Sequence, residues 1–475
     1  MKSSVRVKLS LVAAVFGVAW FGASAPGLSA DEAVPPAGSI QASPGAAPLV
    51  LDLRTAIARA LAASPSLTAS TDALLAAEAR HDTALRQYIP SAVASAGYTH
   101  SGPVDPGTID IATGGPMGTI HATLPAPLQD STSFRLAVSQ PVYTGGRIEA
   151  GIAAASAATA SARADAAARR RTVAASAEQA WWNLVLASES EEAVAENLAA
   201  VSAHRADAER RLSQGTGTKS ELLSWQMQEI QAGVRRRAAA TDLEAARARL
   251  NILLGLPWDS PTEAAAPPEA EMGSGPVAPD SLLDTALSLR PELAAAAARI
   301  SAQEASVALA QAGLLPSLYL TGSMTYADPN PKAFPQRSGF EFLWDVGLVA
   351  SIDVGRVPAS LGQIADAKAQ VSQARDLLRQ TRDAVTQEVI QARFELEKAR
   401  DRFETSTAAV SLAQENLRVQ NDRFSAGLAL ASEVADAEAS LLSAKLERFR
   451  SRVEWELAHA ALRDAAGGDA ASDGK

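Results

Sequence analysis

Cysteine is absent from the 475 residues, which excludes disulfide frameworks, cysteine-ligated metal sites and thiol chemistry. Aromatic residues are scarce at 5%, too few for thick conventional cores, so long thin helices are the better expectation. An excess of positive charge is also missing. Against 43 Lys and Arg stand 53 Asp and Glu, a formal charge of -10, which argues against a nucleic-acid partner because phosphate contacts need clustered cations. The histidines, His81, His100, His121, His204 and His459, are scattered without metal-ligand spacing, and no nucleophile-elbow or phosphate-loop run accompanies them. Neither an enzyme nor a cofactor is expected. Past the N-terminus, no segment offers the roughly 20 uninterrupted apolar residues of a spanning helix. Membrane strands stay open, since their only signal is alternation over about 10 residues.

The first thirty residues read as an export signal. Lys2, Arg6 and Lys8 precede an apolar run over residues 9–23, and Leu28-Ser29-Ala30 supplies small residues before Asp31. Cleavage is expected after Ala30, since a cut after Ala25 would leave Pro26 just beyond the scissile bond. An uncleaved anchor is the alternative, but the run is short for a span. With no cysteine near the cut, a lipid anchor on an N-terminal cysteine is not expected.

Proline divides what remains. None lies between Pro141 and Pro257 or after Pro358, whereas residues 257–279 hold six. Two very long helical zones therefore flank a Pro-rich linker. In the first, 12 of the 19 residues from Ala150 to Ala168 are alanine, the strongest helix former. In the second, Ile364, Val371, Leu378, Val385, Ala392 and Ala399 repeat every seven residues. A further seven-step series, Val389, Leu396, Phe403, Val410, Leu417 and Phe424, takes over four positions along. Sustained heptads predict coiled-coil packing, and the change of seam lets one helix touch more than one neighbour.

Each zone is predicted to fold back once. Gly215-Thr216-Gly217-Thr218-Lys219-Ser220-Glu221 and Gly427-Leu428-Ala429-Leu430-Ala431-Ser432-Glu433 each read as a glycine helix stop, a tight turn and a Ser cap opening a return helix. The two runs lie 212 residues apart, and Arg211 with Arg423 and Ile152 with Ile364 keep that offset. Tyr88-Ile89-Pro90-Ser91 and Leu314-Leu315-Pro316-Ser317 form a second pair, 226 apart. Ordered agreement at several landmarks indicates an internal duplication, with 14 extra residues between Pro90 and Ile152.

The extra residues fall inside a segment with strand character. Leu318, Leu320, Met324 and Tyr326 alternate with Tyr319, Thr321, Ser323 and Thr325. Before Pro358, Trp344, Val346, Leu348, Ala350, Ile352 and Val354 alternate with Asp345, Gly347, Ser351 and Asp353. Phe134, Leu136 and Val138, with residues 91–100 as partner strand, repeat this more weakly in the first half. Between them, Gly102 to Gln129 reads as an exposed Gly/Pro-rich loop. The runs suit tilted outer-membrane strands, although soluble hairpins alternate in the same way. Four strands cannot close a transmembrane barrel, which starts at about eight, so a spanning form has to pool the strands of several copies. A dimer and a trimer both satisfy that count.

Several local runs, in order, resemble the TolC-like outer membrane efflux channels. Gln140-Pro141-Val142-Tyr143-Thr144-Gly145-Gly146-Arg147 is similar to the family's strand-to-helix junction. Ala180-Trp181-Trp182-Asn183-Leu184 resembles an aromatic-rich run on its first long helix, and Glu415-Asn416-Leu417 leading to Arg423-Phe424-Ser425-Ala426-Gly427 resembles the approach to a hairpin tip. The likeness covers about residues 49–466. It implies a mainly α fold with a transmembrane β-barrel: a homotrimer whose twelve strands form one outer-membrane barrel continuous with an α-helical periplasmic tunnel. It implies an outer-membrane location reaching into the periplasm. It also implies two partners, an inner-membrane pump and a periplasmic adaptor, in an efflux or type I secretion machine. The expected divisions are a signal at 1–30, a tether at 31–48, repeats at 49–256 and 280–466, an equatorial linker at 257–279 and a disordered tail at 467–475.

Site residues follow from the same resemblance. Glu433 and Asp436 match acidic residues lining the family's periplasmic constriction, where a trimer would hold two rings of three carboxylates; the plain alternative is acids suited to a first helical turn. Ala429 stands where some relatives carry a basic residue of the closing network. Arg211, Leu212, Gly215, Ser220, Arg423, Phe424, Gly427 and Ser432 match tip positions that meet the adaptor, and the plain alternative is that glycine simply ends each helix. The rival from another class is a secreted coiled-coil stalk or adhesin with no pore, which leaves the paired amphipathic hairpins unexplained.

Overall fold

The computed structural model describes residues 49–468, apart from 104, 106, 113–117, 124, 126–127, 266–278 and 335. The expected signal and tether, most of the linker and residues 469–475 lie outside the described residues.

Two half-chains of matching order build the molecule. The first runs β1 (Leu49–Leu51), α1 (Leu53–Ala63), α2 (Pro65–Leu85), β2 (Ser91–His100), β3 (Thr108–Ala112), β4 (Thr119–Thr123), β5 (Asp130–Tyr143), α3 (Arg147–Ser213) and α4 (Lys219–Leu253). The second runs β6 (Thr262–Ala264), α5 (Pro279–Leu289), α6 (Pro291–Ala312), β7 (Ser317–Asp328), β8 (Glu341–Ser351), α7 (Val357–Ser425) and α8 (Ala431–Ala465). The 35-residue return helices α4 and α8 start and stop 212 positions apart, as the repeat predicts. β3 and β4 have no counterpart among the described residues of the second half, and they pair as a small antiparallel hairpin. The stretch after Gly102 is therefore more than the expected loop. Its Gly and Pro punctuation hid two short strands.

The long helices organise the rest. α3, 67 residues, packs against α2 and α6 along one half of its length and against α4 and α8 along the other. α7, 69 residues, meets α5 and α6 and then α8. The two heptad seams on α7 correspond to these successive neighbours. Val385 and Val389, where the seams overlap, sit in one cluster with Ala286 of α5, Leu293 of α6 and Ala465 of α8. Farther along, Leu417 and Phe424 pack against Val201, Trp225 and Val434.

The main hydrophobic cluster lies beside the middle of α3. Trp181 and Trp182 are buried there edge to face, with ring centroids 4.9 Å apart. The Trp181 indole N–H donates to the Leu51 carbonyl at 3.0 Å. β1 pairs in parallel with β6, Leu49 opposite Thr262 and Leu51 opposite Ala264, so part of the Pro-rich linker is a strand held against mid-helix. Asn251 secures it from within. Its side-chain amide donates to the carbonyls of Trp258 and Ser260 at 3.2 and 2.9 Å, and its oxygen accepts the Thr262 hydroxyl at 2.6 Å.

Candidate functional site

Four strands form one antiparallel sheet in the order β2-β5-β7-β8, so β5 of the first half joins β7 of the second. Register places Ala96, Phe134, Tyr326 and Phe342 in one row, and Ala94, Leu136, Met324 and Trp344 in the next. The alternate rows carry Ser95, Arg135, Thr325 and Leu343, then Val93, Ala137, Ser323 and Asp345. One face is thus nearly all apolar, and along β7 it is the less covered one. Trp344 is 68% exposed, Leu348 62% and Met324 54%, whereas Ser323 on the polar face is 6% exposed and donates to Asp345 Oδ1 at 2.7 Å. A soluble hairpin buries its apolar face; this sheet presents that face outward. The sheet also has two free margins, β2 and β8, each without a neighbour among the described residues. No described helix is long and apolar enough to cross a membrane.

The sheet joins the helices through a tight corner. Gly145 and Gly146 have φ of +66° and +84°, in the left-handed region that favours glycine. A Cβ on Gly145 would lie 2.7 Å from Leu315 Cβ and 3.0 Å from the Ala312 carbonyl, so the corner closes directly on the α6-to-β7 corner of the other half. Arg147 reaches across to donate to the Tyr319 hydroxyl at 3.2 Å.

At the opposite ends of α3 and α7 lie the two hairpin tips. Gly215 (φ +76°) and Gly427 (φ +75°) end the outgoing helices in matching motifs: the Thr216 N–H donates to the Arg211 carbonyl at 2.9 Å and the Leu428 N–H to the Arg423 carbonyl at 2.8 Å. The expected Ser caps are not where the helices begin. Thr218 caps α4, its hydroxyl accepting the Glu221 N–H at 3.1 Å, so Ser220 is the second helical residue. Ser432 likewise sits second in α8, where the Glu433 carboxylate accepts the Leu430 N–H at 3.1 Å. In both turns the residue one place before the helix already has the extended backbone of a cap, which moves the start two positions upstream.

The tips touch through side chains. The Arg211 guanidinium stands 5.0 Å over the Phe424 ring while pairing with Asp207 at 2.8 Å. Arg423 turns back on its own tip, donating to the Leu428 carbonyl at 3.3 Å and to Gln420 at 3.2 Å. Leu212 is half-buried at the end of α3, and Ser220 and Ser432 are exposed. Glu433 and Asp436 both lie on the exposed side of α8, and Asp436 borders an open groove between α7 and α8 with Ser406, Ala409 and Glu447. Gly217 escaped the sequence reading although a Cβ there would meet Arg211 Cβ at 2.9 Å; its repeat partner is Ala429.

A ladder of polar contacts between α3 and α8 also escaped it. Arg463 grips Glu178 at 3.1 and 3.2 Å, Arg452 meets Glu189 at 2.8 Å, and Lys445 meets Glu196 at 2.8 Å. Burial pushes the Glu178 carboxyl above the usual range, and Arg463 partly offsets this. Nearest the tips, Glu438 receives Asn197 at 3.4 Å and lies 3.0 Å from His204. The signal was present in the seven-residue steps Glu189 to Glu196 and Lys445 to Arg452 on two antiparallel helices.

Comparison with known proteins places this geometry. The sequence model described as outer membrane efflux protein matches residues 56–256 and 282–468. Solved structures of the same fold include CusC, at 19% identity and TM-score 0.73, covering 90% of this chain and 96% of that one. The Campylobacter jejuni CmeC outer membrane channel is similar at 17% identity and TM-score 0.71, with 89% and 87% covered. VceC, an outer membrane protein of Vibrio cholerae, is similar at 20% identity and TM-score 0.69, with 88% and 96% covered. A comparison with curated proteins found no match.

Proposed function

The chain belongs to the outer membrane efflux protein family, and on that premise we propose that it is the channel-tunnel of a tripartite efflux or type I secretion system. In this reading three copies pool their strands into one twelve-stranded barrel in the outer membrane, and their hairpins form a tunnel through the periplasm. Substrate passes without energy input at this stage, from an inner-membrane pump and a periplasmic adaptor to the exterior. Residues 1–30 serve as the export signal, 31–48 as a tether and 467–475 as a tail; 49–256 and 280–466 are the two repeats around the linker 257–279.

The observation that carries the reading is the outward apolar face of an open sheet. Strands of 10 to 14 residues meet the length a tilted membrane strand needs, about 9–11 residues. Lipid rewards an exposed Trp344 or Leu348 but does not tolerate the open margins β2 and β8, which have to pair with other copies. The helices offer margins of the same kind. Leu223, Met227, Ile230 and Val234 form an exposed apolar stripe on α4, and Phe394, Leu412 and Val419 are exposed on α7. A secreted stalk gives no reason for the sheet's exposed face.

Glu433 and Asp436 are assigned to the periplasmic aperture, where threefold rings would attract cations and repel one another when shut. Arg211, Leu212, Gly215, Ser220, Arg423, Phe424, Gly427 and Ser432 are assigned to the adaptor-docking tips, where glycine and small residues allow close tip-to-tip approach. Single-channel recording of the purified protein in a bilayer tests both conduction and gate. The wild type should conduct cations preferentially, and replacing both acids, Glu433→Gln with Asp436→Asn, should raise conductance or abolish that preference. An unchanged trace removes the two acids from the gate; a water-soluble monomer that never inserts removes the channel.

A further inference from the structure

The rungs between α3 and α8 differ in one chemical respect. Along most of their length α3 supplies the acid, Glu178, Glu189 and Glu196, and α8 the base, Arg463, Arg452 and Lys445. None of these rungs contains a histidine. At the rung nearest the tips, as at Arg171–Asp464 at the far end, the polarity is reversed. There α8 supplies the acid, Glu438, and α3 supplies His204, whose Nε2 lies 3.0 Å from Glu438 Oε1. Histidine alone among ordinary side chains changes charge between pH 5 and 8.

The surroundings isolate this pair. Glu438 is 8% exposed and His204 27%, and the imidazole stacks on buried Trp225 of α4 with centroids 4.6 Å apart. Next to it, Val201 and Ala208 of α3, Trp225 of α4 and Val434 and Ala435 of α8 form the cluster that joins the hairpins at the tips. Other charges nearby are engaged. Arg205 holds Glu229 of α4 at 3.0 Å and Glu209 at 3.5 Å, Asp207 is held by Arg210 and Arg211, and Lys445 of α8 holds Glu196. On α7, Arg418 pairs with Glu415 and Asp422 on its exposed side. The His204–Glu438 rung is thus the contact in this neighbourhood that is built on an imidazole.

We propose that His204 and Glu438 form a pH-responsive latch between the two helical hairpins. A proton on the ring makes the contact an ion pair between a cation and a shielded carboxylate, and α8 is drawn onto α3. Loss of the proton leaves a single hydrogen bond from a neutral donor, and the first turns of α8 loosen. Those turns carry Glu433 and Asp436, so acidification favours the shut aperture. The latch itself stands on the contact geometry, and only its effect on conduction rests on the reading given above.

Hydrogen exchange of residues 431–441 in the full-length assembled protein, corrected for intrinsic rates, separates the two. In the wild type, protection should be about tenfold higher at pH 6 than at pH 8, the size expected when a neutral hydrogen bond becomes charge-assisted. His204→Gln, which keeps a donor and cannot titrate, should abolish the difference, and so should Glu438→Gln. Glu433→Gln with Asp436→Asn should retain it. Equal wild-type protection at both pH values, or a difference that survives in both single variants, overturns the latch. A difference in exchange with no matching change in conductance keeps the latch and counts against the aperture assignment.

Discussion

Glycine is needed at 145 and at 427 for different reasons, and the reasons predict different costs. Both positions have φ in the left-handed region, but a Cβ at 145 would collide with Leu315 and the Ala312 carbonyl, whereas at 427 it meets nothing within 4 Å. Gly427→Ala should therefore cost about 1–2 kcal/mol, the backbone penalty alone. Gly145→Ala adds a collision between two chain corners, and unfolding of the detergent-solubilised protein should show a loss larger by a further 1–3 kcal/mol. Equal losses at the two sites would contradict the close approach. Local signals made the tip glycines readable, because a glycine stop before a polar turn has few other meanings. The caps were less readable. Thr218 and Ser220 are both good caps, and the choice depends on which residue has the extended backbone, which composition does not reveal.

Between elements, the α3–α8 ladder fixes how the two halves lie together. Removing one member of a buried pair leaves an uncompensated charge, and replacing both members does not. Arg463→Leu should cost about 3 kcal/mol, and Glu178→Leu with Arg463→Leu should recover most of it. The pH dependence has a definite sign. The Glu178 carboxyl is already held above its ordinary value by burial, so its charged form disfavours the folded state at neutral pH and protonation relieves this as pH falls. In Arg463→Leu the offsetting cation is gone, and the melting temperature should rise from pH 7.5 to pH 5 more than in the wild type. A variant that melts lower on acidification would show that Glu178 is not the responsible group. Periodicity exposed the α7 seams, Ile364 to Ala399 and Val389 to Phe424, because every position is at least half-buried. The β3–β4 hairpin stayed hidden behind Gly and Pro residues, and the ladder stayed hidden because heptad searching follows apolar residues, leaving charges at the same spacing to be taken for solvated surface.

At the scale of the whole molecule, the repeat makes a unit that is incomplete by construction. Four strands with an apolar face outward, two margins unpaired among the described residues, and helix stripes such as Leu223, Met227, Ile230 and Val234 all remain open in one chain. Alternation in the sequence identified the strands but left soluble and membrane hairpins equal; the exposure of the apolar face separated them, and that depends on no described helix packing over Trp344 and Met324. Absence of native cysteine permits a direct test of the pooling. In one chain β2 and β8 are separated by β5 and β7, about 14 Å at roughly 4.8 Å per step, beyond the Cα separation of about 7 Å that a disulfide spans. With one cysteine introduced in β2 and one in β8, oxidation of the outer-membrane protein can bridge neighbouring copies only. The account predicts covalent species of two and three chains on a denaturing gel and nothing larger. A product that stays at one chain, stops at two or continues past three would contradict it.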